Sequence, residues 1–376
     1  MRKTLGQQAR TYAAAGYVER YAWAGCAVAA TGFALVSDVG THRVWGWTAG
    51  AGYALAAVLA SGSGRRRAAG AVAVLGAVVL PLAGLVAAGL GQSEVGVAER
   101  SGQLLLATGS PYLTAPTAVT DFNPYLPGMA LFGVLPGDPR WWLGGAFVAS
   151  LAAAGLRRVR LLACPLVALP LAVGGVDLPV AGLMCLGVSL AGRGRPGRAG
   201  LALGAAAALK WTAWPALPVA LALIAVRQGG RSALRCASVG VATGAVAVLP
   251  FAVADPTGFH HNVVAFPLGL TATASPAASP LPGHLLAAYV PGGTVIALAL
   301  LVVGALLVAL SLAVRPPETV RAAAVRLAFG LGLATALMPA TRFGYLVCPL
   351  VLTALARRAA YRGVEVTGRC VERTPA

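Results

Sequence analysis

Apolar stretches of about 15 to 25 residues recur along almost the whole chain, near 21–37, 44–61, 70–91, 141–156, 161–174, 178–192, 236–254, 288–314, 324–338 and 343–356. Two less regular stretches, 124–136 and 199–226, complete the set. Segments of this length cross about 30 Å of hydrocarbon as helices. Backbone polar groups inside a bilayer must be satisfied within the segment or within a closed barrel, and barrel-like alternation is absent, so helices remain. The composition agrees: 58% of residues are hydrophobic and 11% charged, with a mean hydropathy of +0.78, whereas soluble domains carry about a quarter charged residues. The expected fold is all-α and multi-pass transmembrane, with about 10–12 helices, some short or re-entrant. It is read as one integral membrane domain over residues 1–376.

A net charge of +18 in a soluble chain would point to nucleic acid. Here the basic residues stand in short clusters between apolar runs, at 2–20, 65–67, 157–160, 193–198, 227–235, 315–326 and 357–373. Lysine and arginine in short loops stay cytoplasmic. One arrangement puts every cluster on that side, if 124–156 crosses once and 199–226 is a hairpin returning to its own face. The N-terminal 1–20 and the basic tail 357–376 are then both cytoplasmic. Lysine occurs only at Lys3 and Lys210 amid abundant Ala, Gly and Arg, a bias that suggests a GC-rich bacterium and hence its plasma membrane. No cleaved signal peptide is expected, because the first apolar run follows a polar start and is the first of many. The six cysteines form no CxxC pair and are read as free thiols acting as small hydrophobes.

The outer side is left with 38–43, 92–123 (a first large loop), 174–177, the hairpin tip near 210, 255–287 (a second large loop) and 339–342. Six of the eleven acidic residues fall there. Pro124, Pro127 and Pro136, and Lys210, Pro215 and Pro218, interrupt the two irregular stretches. Broken helices at membrane depth are tolerated where protein or a water-filled cavity surrounds them. No internal repeat is visible. The GxxxG spacings at Gly46/Gly50, Gly200/Gly204 and Gly240/Gly244 are read as helix packing.

Residues 93–107 suit an amphipathic surface helix with Ser93 as N-cap and Gly109 as stop. Glu94 reads either as a general base at a cavity mouth or as a first-turn carboxylate facing the helix dipole. Glu99 lies about 140° around that helix and reads as a base or as a solvated partner of Arg100 or Gln103. Asp121 and Asn123 suit substrate positioning or an Asx turn before Pro124. Asp177, beside apolar spans, needs a partner or a water-filled space, or serves as an N-cap. Lys210 is costly at hydrocarbon depth, and phosphate binding would offset that cost. Arg342 suits a phosphate oxygen pair or an interfacial anchor beside Phe343 and Tyr345. His260 and His261, followed by Asn262, suit phosphate contact or proton transfer; adjacent histidines lack metal-ligand spacing. There is no Asp-x-Asp, Walker A loop or Gly-x-Ser-x-Gly elbow, and neither a metal nor a cofactor is expected.

Over roughly residues 91–350 the chain resembles glycosyltransferase family 87, polyprenol-phosphate-mannose-dependent mannosyltransferase-like proteins of the C-type membrane superfamily. The resemblance rests on the acidic loop leading into Gly109-Ser-Pro-Tyr112, Asn123-Pro-Tyr-Leu-Pro127, Gly174-Gly-Val-Asp177, Ala208-Leu-Lys210 and Pro339-Ala-Thr-Arg342. It implies the C-type architecture and an inverting transfer at the outer face, from a polyprenyl-phosphate sugar, mannose being expected, to a lipid or cell-envelope glycan. By that resemblance Glu94 matches the base, with Glu99 and Asp121 as alternatives. Lys210, Arg342, His260 and His261 would hold the donor phosphate, and Asn123, Tyr125 and Asp177 the substrates. The rival function is transport or flipping of a lipid-linked or small anionic solute.

Overall fold

The computed structural model describes residues 2–61, 65–273 and 275–371, with side chains described over 17–61, 65–273 and 275–360. Cys370 and the basic side chains at 362–373 and before Tyr17 lie outside the described set. In chain order the principal helices are α1 (Arg2–Val36), α2 (Gly40–Ala60), α3 (Arg66–Ala87), α4 (Ser93–Thr108), α5 (Pro139–Ala154), α6 (Pro165–Val173) and α7 (Asp177–Gly192). They continue with α8 (Pro196–Leu209), α9 (Ala216–Gln228), α10 (Gly230–Ala254), α11 (Pro282–Tyr289), α12 (Gly293–Val314), α13 (Val320–Leu337) and α14 (Val347–Val371). No strand occurs among the described residues; one isolated bridge pairs Ala278 with Thr341. Among the described residues, five segments are long and apolar enough to cross a membrane: Arg66–Ala87, Gly230–Ala254, Gly293–Val314, Val320–Leu337 and Phe343–Ala360. The protein is thus an all-α, multi-pass membrane protein.

The chain divides into two compact units, Met1–Val95 with Arg157–Gly175, and Gly96–Leu156 with Val176–Ala376. In the first, small residues let helices approach closely. A Cβ on Gly46 of α2 would stand 2.6 Å from the Ala30 carbonyl oxygen of α1, and one on Gly52 would stand 2.7 Å from Gly76 Cα of α3. α3 is wound as a π turn over Leu75–Val79 and then carries Pro81. Proline has no N–H to give the carbonyl four residues back, and the Trp45 indole N–H donates to that carbonyl, Ala77 O, at 2.8 Å. Trp23 stacks on Tyr53 at 5.8 Å, and the Tyr53 hydroxyl donates to Ala163 O at 2.7 Å.

In the second unit α7 is apolar on all sides and buried along nearly its whole length, as a helix surrounded by other helices must be. Ser189 near its end donates to Ala154 O of α5 at 3.1 Å, and Gln228 at the end of α9 donates to Ala191 O at 2.8 Å. The clusters at 193–198 and 227–235 therefore share one end of this unit. α8 and α9 form the expected hairpin, turning at Lys210. Gly200 and Gly204 of α8 meet Gly240 of α10 closely, whereas Gly244 stands clear. α10 and α12 expose Val246, Val253, Val295 and Leu306, the apolar exterior a bilayer covers. The stretch 124–136 folds as short helical turns, Pro127–Ala130 and Leu131–Val134, so α5 is the one long helix between 124 and 156.

Candidate active site

The other end of the second unit gathers the start of α7, the end of α8 and the turn leading into α14. α8 stops because Lys210 is extended, at φ −160° and ψ 137°, ahead of a 3₁₀ turn over Trp211–Ala213. Lys210 Nζ donates to Asp177 Oδ1 at 2.7 Å, with the two side chains 8% and 12% exposed. The ammonium also lies over the Tyr345 ring at 4.3 Å from its centroid and over the Tyr125 ring at 5.7 Å. Cys348 Sγ sits 4.0 Å from the Asp177 carbonyl oxygen. The buried ammonium thus has Asp177 as its counter-charge. Of the readings of Asp177, the paired one holds: it is the first residue of α7, its carboxylate turned to Lys210 instead of capping the helix.

Tyr125 reaches this place because the segment before it is fastened at several points. The Leu126 N–H donates to Leu209 O, the carbonyl beside Lys210, at 3.1 Å. Asn262, fully buried, accepts the Asn123 N–H at 2.8 Å and donates to Leu113 O and Gly258 O. Asn123 Oδ1 accepts the Tyr125 N–H at 3.1 Å and its amide donates to Pro111 O. The Tyr112 hydroxyl donates to Tyr125 O at 2.8 Å. Burial pushes the Tyr112 phenol well above its ordinary pKa, so it stays a donor. Every hydrogen-bonding group of the Asn123 side chain is engaged locally, which makes it a positioning residue.

His260 and His261 lie in the π turn His260–Ala265, both exposed, with ring centroids 6.5 Å apart. The buried side chain of that turn is Asn262. No group of three metal-ligating side chains occurs among the described residues. Arg342 follows Thr341, which exchanges backbone hydrogen bonds with Ala277 (3.0 Å) and Ser279 (2.9 Å), and His284 Nδ1 is bonded to Pro339 O at 2.9 Å. The second large loop is thereby tied to the segment carrying Arg342. Three residues on, Tyr345 covers Lys210.

The three candidate bases differ in setting. Glu94 is half-buried in the first turn of α4, where the Ser93 hydroxyl donates to it at 3.1 Å; Ser93 opens the helix, and Gly109 follows its end at φ +76°. Gln92, two residues before, is hydrogen-bonded to His42, whose ring is within electrostatic reach of Glu94. Glu99 is exposed, away from the buried stripe of Ala98, Ser101 and Gly102. Asp121 Oδ2 accepts the N–H of Ala118 at 2.9 Å and of Thr117 at 3.1 Å. Those bonds, outweighing slight desolvation, hold its carboxyl below the usual range. It closes its own turn, as an Asx-type residue does.

The sequence reading overlooked the pair Asp138–Arg140 at the start of α5. The guanidinium is almost fully buried and donates twice to the carboxylate, at 2.8 and 2.6 Å. The only local signal was an acid two residues before a base across Pro139. The cation–π cover by Tyr345 was missed as well, since Tyr345 read as an interfacial neighbour of Arg342.

Among protein families, the model of glycosyltransferase family 87 matches residues 111–341, more than half the chain and the whole of the segment from Tyr112 through Asp177, Lys210 and Asn262 to Thr341. The chain belongs to glycosyltransferase family 87. No match was found among curated proteins or among solved structures. This family-87 protein is a membrane glycosyltransferase, and so acts on a sugar donor and an acceptor. Within the matched segment lie both members of its buried ion pair and both asparagines that fasten Tyr125; Tyr345 and Cys348 come after it.

Proposed function

We propose that the protein transfers a sugar, mannose being expected, from a polyprenyl-phosphate donor to a lipid or cell-envelope glycan acceptor. The transfer takes place at the outer face of the bacterial plasma membrane, with both termini cytoplasmic. The observation that carries this reading is the buried Lys210–Asp177 pair beneath Tyr345. An ammonium has three donors; Asp177 takes one and the ring face screens another side, which leaves a direction for a phosphate oxygen. As the acceptor oxygen attacks the anomeric carbon, the bond to phosphate breaks, and polyprenyl phosphate leaves with the electron pair. Charge gathering on that phosphate strengthens its bond to Lys210, and an interaction that grows towards the transition state is what accelerates the step. Arg342 adds a second cation. The acceptor proton passes to a carboxylate, for which Glu94, half-buried and accepting from the Ser93 hydroxyl, is chosen ahead of exposed Glu99.

The test is transfer of radiolabelled mannose from polyprenyl-phosphate-mannose to membrane acceptors by protein purified into lipid nanodiscs. Wild type transfers label; Glu94→Gln and Lys210→Met lower the rate by about 100-fold or more, as loss of a general base or an oxyanion partner does. Glu99→Gln stays close to wild type. Wild-type protein that moves the donor across the bilayer without cleaving it would overturn the reading in favour of transport.

A further inference from the structure

The first unit carries a second charged cluster, at the end where α3 begins. Glu19 of α1, with a side chain 6% exposed, accepts from Arg160 Nη2 at 2.8 Å and lies 3.7 Å from Arg66 Nε. These groups come from three separate segments, Glu19 and Arg160 being 141 positions apart. Val36 ends α1 17 residues beyond Glu19, about 26 Å at 1.5 Å per residue. A hydrocarbon core of about 30 Å therefore places the cluster near one headgroup layer. Tyr17 and Tyr21, 61% and 68% exposed, flank Glu19 on the same helix, as aromatic side chains do at that depth.

A topology signal needs only arginines in water. Here a carboxylate has been taken out of water to hold two guanidiniums, one of them on a side chain 63% exposed. Two cations on one anion leave an excess positive charge, and exposed Arg65, Arg67, Arg157 and Arg158 on the same two segments raise it. Glu19 Oε1 is buried, with no hydrogen-bond partner among the described residues. We propose that Arg66 and Arg160, oriented by Glu19, bind the phosphate of an anionic phospholipid of the phosphatidylglycerol class. Arg160, bonded to Glu19 through Nη2 on a largely exposed side chain, still presents the rest of its guanidinium fork to a phosphate.

The experiment is native mass spectrometry of the purified full chain, released from detergent with phosphatidylglycerol or phosphatidylcholine. Wild type retains phosphatidylglycerol in preference, and millimolar inorganic phosphate does not displace it. Arg160→Gln lowers retention about fivefold and Arg66→Gln/Arg160→Gln about 30-fold, with the variants' melting temperatures reported alongside. Arg66→Lys/Arg160→Lys also loses most of the preference, because a point charge does not reproduce the fork. Arg193→Gln/Arg195→Gln, in the second unit, leaves retention unchanged. Equal retention of the two lipids, displacement by phosphate, or Lys variants equal to wild type would each overturn the proposal. Should the double variant unfold, the exposed Arg160→Gln change decides alone.

Discussion

The buried Lys210–Asp177 pair dominates the residue scale, and its energetics separate stability from chemistry. Lys210→Met leaves Asp177 buried without its counter-charge and is expected to cost about 3–5 kcal/mol, seen as a lower thermal midpoint in detergent. Replacing both, as Lys210→Met/Asp177→Leu, recovers most of that midpoint, since an apolar pair of similar volume is tolerated there, yet sugar transfer stays absent. Asp121 gives the opposite result. Its carboxyl is held below the usual range by the Ala118 and Thr117 N–H groups, so the turn's contribution is complete above an ordinary aspartate's pKa. It is lost only as the pH falls through the lower, folded value. Protection of the Ala118 amide, corrected for its intrinsic exchange rate, should therefore fall as the pH drops through that value in wild type and show no such step in Asp121→Asn, while that variant keeps its transferase activity. Lys210 and Asp177 were each legible in the sequence as charges beside apolar spans. Their union was not, because residues 33 apart meet only through the return of α8 to the start of α7.

Among the elements, the long apolar runs announced α3, α10, α12, α13 and α14, and the prolines around Lys210 announced the α8–α9 hairpin. The shorter helices were less readable, since α8 and α9, with 14 and 13 residues, span only about 20 Å each. Their ends are completed by side chains and turns from elsewhere in the chain, a feature that hydropathy does not record. Two element-scale contacts make direct predictions. Trp45→Phe removes the donor that serves Ala77 O below Pro81 and should cost about 1–3 kcal/mol, read as a drop in thermal midpoint. A Cβ on Gly133 would run into the Ala98 carbonyl of α4, so Gly133→Ala should destabilise by about 1–3 kcal/mol in the same assay. A matching Gly137→Ala change is no clean control, because Gly137 has φ +81°; Gly145→Ala, open on α5, is.

At the scale of the whole molecule, the charge pattern foretold which helix ends of the second unit would be basic and which would carry Asp177, Asn123, Asn262 and Arg342. It foretold less about their work: Asn123 fastens backbone, the two histidines lie exposed, and Tyr345 does what no motif suggested. The contacts at the site also differ greatly in their separation along the chain. Lys210 reaches Asp177 over 33 residues, whereas Asn123 waits for Asn262, 139 positions later, and Tyr345 follows later still. A chain emerging from the ribosome can join its charge pair early, whereas the Asn262 amide and the Tyr345 ring arrive only after much more of it has been made. Products that stop short of Tyr345 therefore lack the ring that lies over Lys210.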